Sequence, residues 1–459
     1  MAKFRILLLT NRDSDNVGDQ IIEGSVLSII KGIMSNLGLT PDEYSINSRA
    51  AGIVNKKFLK TGDPKLLEDA KKAISNADLI IFGGAPLFNY KYQSFYRRTI
   101  TTLELANEYN VPVIFSSIGV ESYDPDNPKS QALKAALELP CVRQITTRDD
   151  LESLRKYTES TDIPVARVAD PAVLADIVYR DVATPRTLPA VGRAKTIGLV
   201  VTRAGIFADN GISWNESKQR RFWLDIIAQL TERGYDYRLF TTGHFSDEVF
   251  LDALFRKKKI PARNVVFTVN TPDELVQELN ECDGVIAFRL HASITSFAYS
   301  VPSIGLSWNF KVPYFYDSIG YSERAVPPEQ WNAEAVIPAL ERAMVSGIDR
   351  DEEFLTSVYN TLFEGIKSVI APDNSFEPYS YEQLQTKLPP QPATTAAQYK
   401  LRSQIKFRRT YENYQRYYRY YLAAERRKLE QVSLRRRLSQ SVIGLSYRRV
   451  RRLFRKLFA

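Results

Sequence analysis

The chain is 459 residues long, about three times a common single-domain length, so two core-bearing domains plus an appendage are expected rather than one compact domain. Hydrophobic residues at 44% and charged residues at 25% exclude disorder as the overall state. Two cysteines, Cys141 and Cys282, exclude a disulfide framework, no Cys/His spacing points to structural zinc, and a reducing compartment is expected. The net charge of +9 is unevenly distributed: residues 399–459 hold 19 Lys/Arg against Glu412, Glu425 and Glu430, leaving 43 basic and 50 acidic residues before them. The high isoelectric point therefore belongs to the tail, and the body is acidic.

The opening MAKFRILLLT is shorter than the apolar core of a signal peptide and reads as a first strand. After it, ADLIIFGG from Ala77, VPVIFSSIG from Val111 and RQITTRD from Arg143 read as further strands separated by helical periodicity, the pattern of an α/β fold with a mostly parallel sheet. Residues 179–195 carry two prolines and no apolar period, which marks a boundary between a first Rossmann-like domain (1–180) and a second (194–387). The second supplies TIGLVVT, DYRLFTTG, NVVFTVN, DGVIAF and PSIGLS, followed by closing helices. The uncharged stretch from Ala292 to Phe310 holds five serines and Pro302, so it reads as helix, turn and strand rather than a membrane span. LPPQPATTAAQ (388–398) has the composition of a Pro-rich, semi-rigid linker.

In the tail, Phe407, Tyr411, Tyr414, Tyr418 and Tyr421 form one helical stripe, and Ile443, Tyr447, Val450, Phe454 and Leu457 form another. Arg448, Arg449, Arg451, Arg452, Arg455 and Lys456 crowd the rest of the second helix, the pattern of a helix on an anionic membrane surface. Docking on the body or a twin subunit is the plainer alternative. Nucleic acid is a third, without a recognised RNA-binding motif to accompany it.

Two domains facing across a cleft place ligands at the carboxyl ends of their strands, so the strand-end residues are the candidates. Asn16, Gly18 and Asp19 sit where the first strand feeds a helix, suited either to a polar ligand or to a plain helix cap by Asn16 or Asp19. Gly83 and Gly84 end a second strand, Ser116, Ser117 and Gly119 a third, and Thr146, Thr147, Arg148 and Asp149 a fourth. In the second domain Arg203 closes a strand, and Arg289 and His291 lie two residues apart at a strand-to-helix junction. Three arginines and an imidazole that titrates near neutrality suit a small, multiply charged anion that must receive a proton. Structural burial is the alternative for a lone histidine, and His244, after another strand, has no assigned role. No Walker sequence, no GxGxxG after a strand and no GxSxG elbow occur.

Asn16-Val17-Gly18-Asp19, Phe82-Gly83-Gly84, Ser117-Ile118-Gly119-Val120, Thr147-Arg148-Asp149, Asp170-Pro171-Ala172 and Arg289-Leu290-His291-Ala292 occur in the order seen in polysaccharide pyruvyl transferases. Over roughly residues 5–310 the chain resembles that family; the tail lies outside the resemblance. The resemblance implies a GT-B-like pair of domains and transfer of pyruvate from phosphoenolpyruvate to two hydroxyls of a sugar in a cell-envelope or exopolysaccharide glycan, giving a ketal and phosphate. It implies Arg289 on the donor's carboxylate or phosphate, with Arg203 and Arg148 as further candidates, and His291 as the acid that protonates the donor's C3. Asp19 would orient or deprotonate an acceptor hydroxyl, with Asn16, Gly18, Gly83, Gly84 and Ser117 on the acceptor side. No metal or redox cofactor is chemically required. The chain departs from the family where many members carry a third glycine and it has Ala85. The expected setting is cytoplasmic, at the inner membrane face, with a glycan or lipid-linked sugar acceptor and room for a homo-oligomer. A nucleotide-sugar glycosyltransferase of the same architecture and a catalytically silent scaffold are the rival functions.

Overall fold

The structure is a computed structural model that describes residues 3–440 apart from 13, 92–94, 187–193, 204, 209, 259, 268 and 374. The chain divides into two compact units, Met1–Thr395 and Ala396–Ala459. The first contains two wholly parallel sheets with helices between their strands. One sheet has the order β2-β1-β3-β4-β5-β6, with β1 at Phe4–Thr10, β2 at Tyr44–Ala50, β3 at Leu79–Gly83, β4 at Val113–Ile118, β5 at Val142–Thr147 and β6 at Val165–Arg167. The other has the order β11-β10-β9-β7-β8, with β7 at Thr196–Val200, β8 at Asp236–Phe240, β9 at Gly284–Ala287, β10 at Ser303–Leu306 and β11 at Ala325–Val326. The expected α/β architecture of two Rossmann-like halves is therefore present.

The central strands are apolar along their length because helices cover both faces of a parallel sheet. β3 (LIIFG) and β4 (VIFSSI) are buried at every residue. NVVFTVN, expected as a strand, is not one: Ala262–Asn264 is a 3-10 turn, and Val265 makes only an isolated bridge to Leu239.

The helix Val17–Asn36 is buried on nearly all sides, from Val17 and Ile21 to Ile33 and Met34. It lies at the middle of a core that joins Ile6 and Leu8 of the first sheet to Val200, Ala292 and Phe297 of the second half. The helix Glu352–Ile370, expected to close the second Rossmann-like half, packs instead on the first: Gln144 Nε2 donates to Thr361 O at 2.9 Å, Ala169 N to Ser357 Oγ at 2.9 Å and Asn36 Nδ2 to Tyr359 OH at 3.0 Å. The segment expected as a linker is likewise docked. Leu388 is buried, Ser28 Oγ donates to Pro389 O at 2.5 Å, Gln391 N to Val178 O at 2.8 Å and Thr394 N to Asp273 Oδ2 at 2.6 Å. Its prolines fix a strap rather than a spacer.

The second unit's described part is one helix, Ala396–Gln440, on which Phe407, Tyr411 and Tyr414 are exposed. The stripe from Ile443 to Leu457 and the arginines around it lie outside the described residues. No described helix is long and apolar enough to cross a membrane.

Candidate active site at the seam between the two sheets

The two Rossmann-like halves meet at the start of the helix Val17–Asn36. Asn16 occupies its N-cap position but makes no side-chain cap. Its Oδ1 instead accepts from Thr242 Oγ1 of the other half at 2.8 Å, and the free helix N–H of Val17 donates to Thr242 O at 2.7 Å. Gly18 is needed here by close approach. A methyl group on it would lie 2.5 Å from His291 Cγ and 2.6 Å from Nδ1, and closer still to Cβ. The first turn of one half is thus the floor on which the imidazole of the other rests.

Around His291 a mostly buried charge cluster draws on both halves. Asp170 opens the 3-10 turn Pro171–Leu174, where Oδ1 accepts from Ala172 N, while Oδ2 accepts from Arg148 Nη1 and lies 4.0 Å from His291 Nε2. Asp19 Oδ2 accepts from Asn11 Nδ2 at 3.0 Å and Asn16 Nδ2 at 3.3 Å, so the carboxylate expected at an acceptor hydroxyl is engaged by two amides. Burial holds the His291 imidazole below its ordinary pKa; Asp170 and Asp19 oppose that, and Arg148 and Lys311 add to it. In the resting protein it is therefore neutral at neutral pH. Burial also lowers the Lys311 ammonium, against the pull of Asp149, whose Oδ2 lies 4.0 Å from Lys311 Nζ.

A second cluster belongs mainly to the second half. Arg289 stands at the N-cap position of the helix Leu290–Ala298 without capping it; its Nε donates to Asp247 Oδ2 at 2.7 Å and its Nη2 lies 2.5 Å from the same oxygen. The fully buried Asp247 also accepts at Oδ1 from Thr202 Oγ1 (3.1 Å) and Arg203 N (2.9 Å). His244 hydrogen-bonds Ser246 Oγ through Nδ1 at 2.8 Å and is held below its ordinary pKa by burial and then by Arg289, against Asp247, with Arg203 adding. Among the described residues no carboxylate pairs with Arg203, whose buried Nε makes no hydrogen bond. Two guanidiniums, Arg289 held by Asp247 and Arg203 without a described carboxylate partner, stand beside His244, which Asp15 of the first half also influences, and such a pair can engage an anionic ligand. Arg289 and His291, expected to serve one crevice side by side, thus engage different partners: Asp247 for one, Gly18 and Asp170 for the other.

The family description that matches the sequence, over residues 16–309, is polysaccharide pyruvyl transferase, and the matched segment contains both clusters except Lys311. The chain belongs to the polysaccharide pyruvyl transferase family. No curated protein matches the chain. Among solved structures, this pyruvyl transferase family member is similar to a Listeria monocytogenes protein assigned as a UDP-N-acetylglucosamine 2-epimerase, at 10% identity and a TM-score of 0.52, covering 83% of this chain and 100% of that one. It is also similar to the UDP-GlcNAc 2-epimerase of Methanocaldococcus jannaschii, at 13% identity and a TM-score of 0.49, covering 78% and 98%. At 10% identity the likeness to the Listeria protein shows the fold alone, the GT-B arrangement of two Rossmann-like halves.

Several expected acceptor-side residues of the transferase have other tasks. Ser117 adopts a positive φ of 53°, its N–H bonds Thr146 Oγ1 and its hydroxyl donates to Ala169 O, so the fully buried side chain offers nothing to a ligand. Gly83 leaves room for Val26 of the first helix, and Gly84, at φ 61°, leaves room for Ile22. Arg148 is spent on Asp170 rather than free for the donor. Conversely, the sequence named Asp149 only among strand-tip residues and Asp170 only within a family motif, gave Asp247 and Lys311 no place in the site and left His244 unassigned. The strand-end rule, extended to the loops after β8 and β10, would have found His244, Asp247 and Lys311.

Proposed function

We propose that this transferase moves pyruvate from phosphoenolpyruvate to two hydroxyls of one sugar in a cell-envelope or exopolysaccharide glycan, forming a pyruvate ketal and releasing phosphate. The family membership supports the reaction class, and the observation that carries the donor is the pair of guanidiniums of Arg203 and Arg289, with His244 beside them. A carboxylate and a phosphate on three carbons need at least two cations, and guanidiniums bind both in forked geometry. Asp247 holds Arg289 in place for this, and the unpaired Arg203 takes the second anionic group.

His291 handles the proton. Its imidazole is neutral at rest because it is buried, and a bound trianion raises its proton affinity, so donor binding loads the acid that C3 requires. Protonation at C3 makes C2 electrophilic; a sugar hydroxyl adds there, phosphate departs, and the second hydroxyl closes the ketal. The reaction needs no metal or redox cofactor. The basic tail, through its aromatic helix, would hold the enzyme at an anionic membrane surface where lipid-linked acceptors reside.

The test is phosphate release by the full chain from phosphoenolpyruvate in the presence of glycans and methyl hexopyranosides, with ketal formation read by NMR. Turnover of nucleotide sugar instead, or of neither, overturns the reading. His291→Ala is expected to lower kcat by on the order of 10²–10⁴, and Arg289→Ala to raise the donor's dissociation constant.

A further inference from the structure

Between the halves lies a cavity of about 10 Å³, lined by Arg148, Asp149, Asp170, Lys311, Ile294 and Phe315 among others. It has room for about one oxygen atom of water size. Asp149 Oδ2 is buried and makes no hydrogen bond, although a buried carboxylate oxygen left unmatched is costly. Lys311 Nζ lies 4.0 Å away, too far for a direct hydrogen bond and near enough for one oxygen to touch both. The space between is kept open by a glycine: a methyl group on Gly119 would lie 3.2 Å from Asp149 Oδ2 and 3.2 Å from Lys311 Nζ. The backbone of Asp149 is fixed by its N–H to Thr147 Oγ1 at 3.0 Å.

We infer that Asp149 and Lys311 together seat the attacking sugar hydroxyl, Asp149 Oδ2 accepting its proton and Lys311 Nζ donating to its oxygen. This rests on the pyruvyl transfer proposed above and moves the base there from Asp19, whose Oδ2 accepts from both Asn11 and Asn16, to Asp149, whose buried Oδ2 accepts from nothing. A phosphate is larger than the cavity and would meet the Asp149 charge, whereas a neutral hydroxyl fits both space and polarity. In the first step the hydroxyl oxygen bonds to C2 and its proton passes to Asp149, while the electron pair of the C2–C3 double bond takes the proton of the imidazolium of His291. In the second, the C2–O bond to phosphate breaks with its electron pair, the second hydroxyl bonds to C2 and gives its proton to His291, and phosphate takes the proton from Asp149. Both residues return to the states in which the step began, and of the two hydroxyl protons one replaces that given to C3 and the other leaves on the hydrogen phosphate dianion.

The full chain is assayed for phosphate release with methyl hexopyranosides bearing free 4- and 6-hydroxyls, beside calorimetric titration with phosphoenolpyruvate alone. Asp149→Asn is expected to lower kcat by on the order of 10²–10⁴ and to leave the donor's dissociation constant within about twofold. Lys311→Gln is expected to raise the acceptor KM with the same donor constant, and it carries the test should Asp149→Asn fail to fold. Turnover of both variants within about threefold of the parent, or loss of donor binding in step with turnover, overturns the assignment while leaving the function intact. A parent chain that releases no phosphate with any acceptor overturns both.

Discussion

Gly18→Ala puts the seam between the halves to a direct test. The added methyl would lie 2.5 Å from His291 Cγ and 2.6 Å from Nδ1. Carbon atoms in contact prefer about 3.5–4.0 Å, so something must move by on the order of 1 Å. Rotating the imidazole does not relieve the contact, because the methyl also meets His291 Cβ, which is fixed to the helix Leu290–Ala298. The helices themselves must part. Overpacking of this kind costs about 1–3 kcal/mol, whereas the helix preference for Ala over Gly returns at most about 1 kcal/mol, so a net loss of stability is expected. Activity suffers more than stability, since a misplacement of about 1 Å at a reacting group costs on the order of 10² in rate. Urea unfolding and phosphate release measure the two effects. The double variant Gly18→Ala with His291→Gly removes the Cβ that is struck, so a coupling of at least about 1 kcal/mol in the mutant cycle is expected. Parent-like stability and turnover in Gly18→Ala, or additivity in the cycle, would refute the reasoning.

Two further outcomes follow from the charges. Burial keeps His291 and His244 below their ordinary pKa, so the unfolded chain takes up those protons first as pH falls; the stability they confer is complete above about pH 6.5 and is lost as pH drops toward the folded-state values. The Tm should therefore fall between pH 7 and pH 5, and His244→Asn should flatten that fall; an unchanged slope would contradict it. For the tail, flotation with anionic vesicles is expected for the full chain, to weaken with salt and to be lost on deleting residues 399–459; equal flotation of both forms ends the membrane proposal.

What the sequence disclosed of the fold follows from burial. Strands covered on both faces are runs of apolar residues, and β1, β3, β4, β7, β9 and β10 are visible as such; β5 (VRQITT) and the edge strand β8 (DYRLF) show through shorter apolar or β-branched stretches. The other edge strands do not. β2 is YSINSRA, alternating half-buried and exposed, β6 is three residues and β11 two, so none presents an apolar run. NVVFTVN fails in the opposite way, as an apolar run whose neighbours in space give it a single bridge. The strap at 388–394 was illegible because proline and small residues describe how stiff a segment is, not what its amides meet.

For the site, chain order names the loops but not the partners. Arg289 and His291 were found because both follow a strand, yet which carboxylate engages each is decided by residues 42 and 121 positions away, Asp247 and Asp170. The same holds for Asp149 and Lys311, which belong to opposite halves and meet only because both sheets present their carboxyl ends to one seam. Contacts cross the seam at several places, among them Arg167 Nη2 to Tyr314 O at 2.9 Å and Tyr299 OH to Ala175 O at 3.2 Å. Arg350 pairs with Asp176 at 2.6 Å just before the helix Glu352–Ile370 returns to the first sheet, at the crossing point of the chain. The links at the strand tips lie elsewhere: Thr242 with Asn16, His291 against Gly18, and Lys311 facing Asp149. A cavity of about 10 Å³ holds a hydroxyl oxygen but not the sugar ring that carries it. Under the proposed reaction, these tip contacts must therefore part to admit the acceptor.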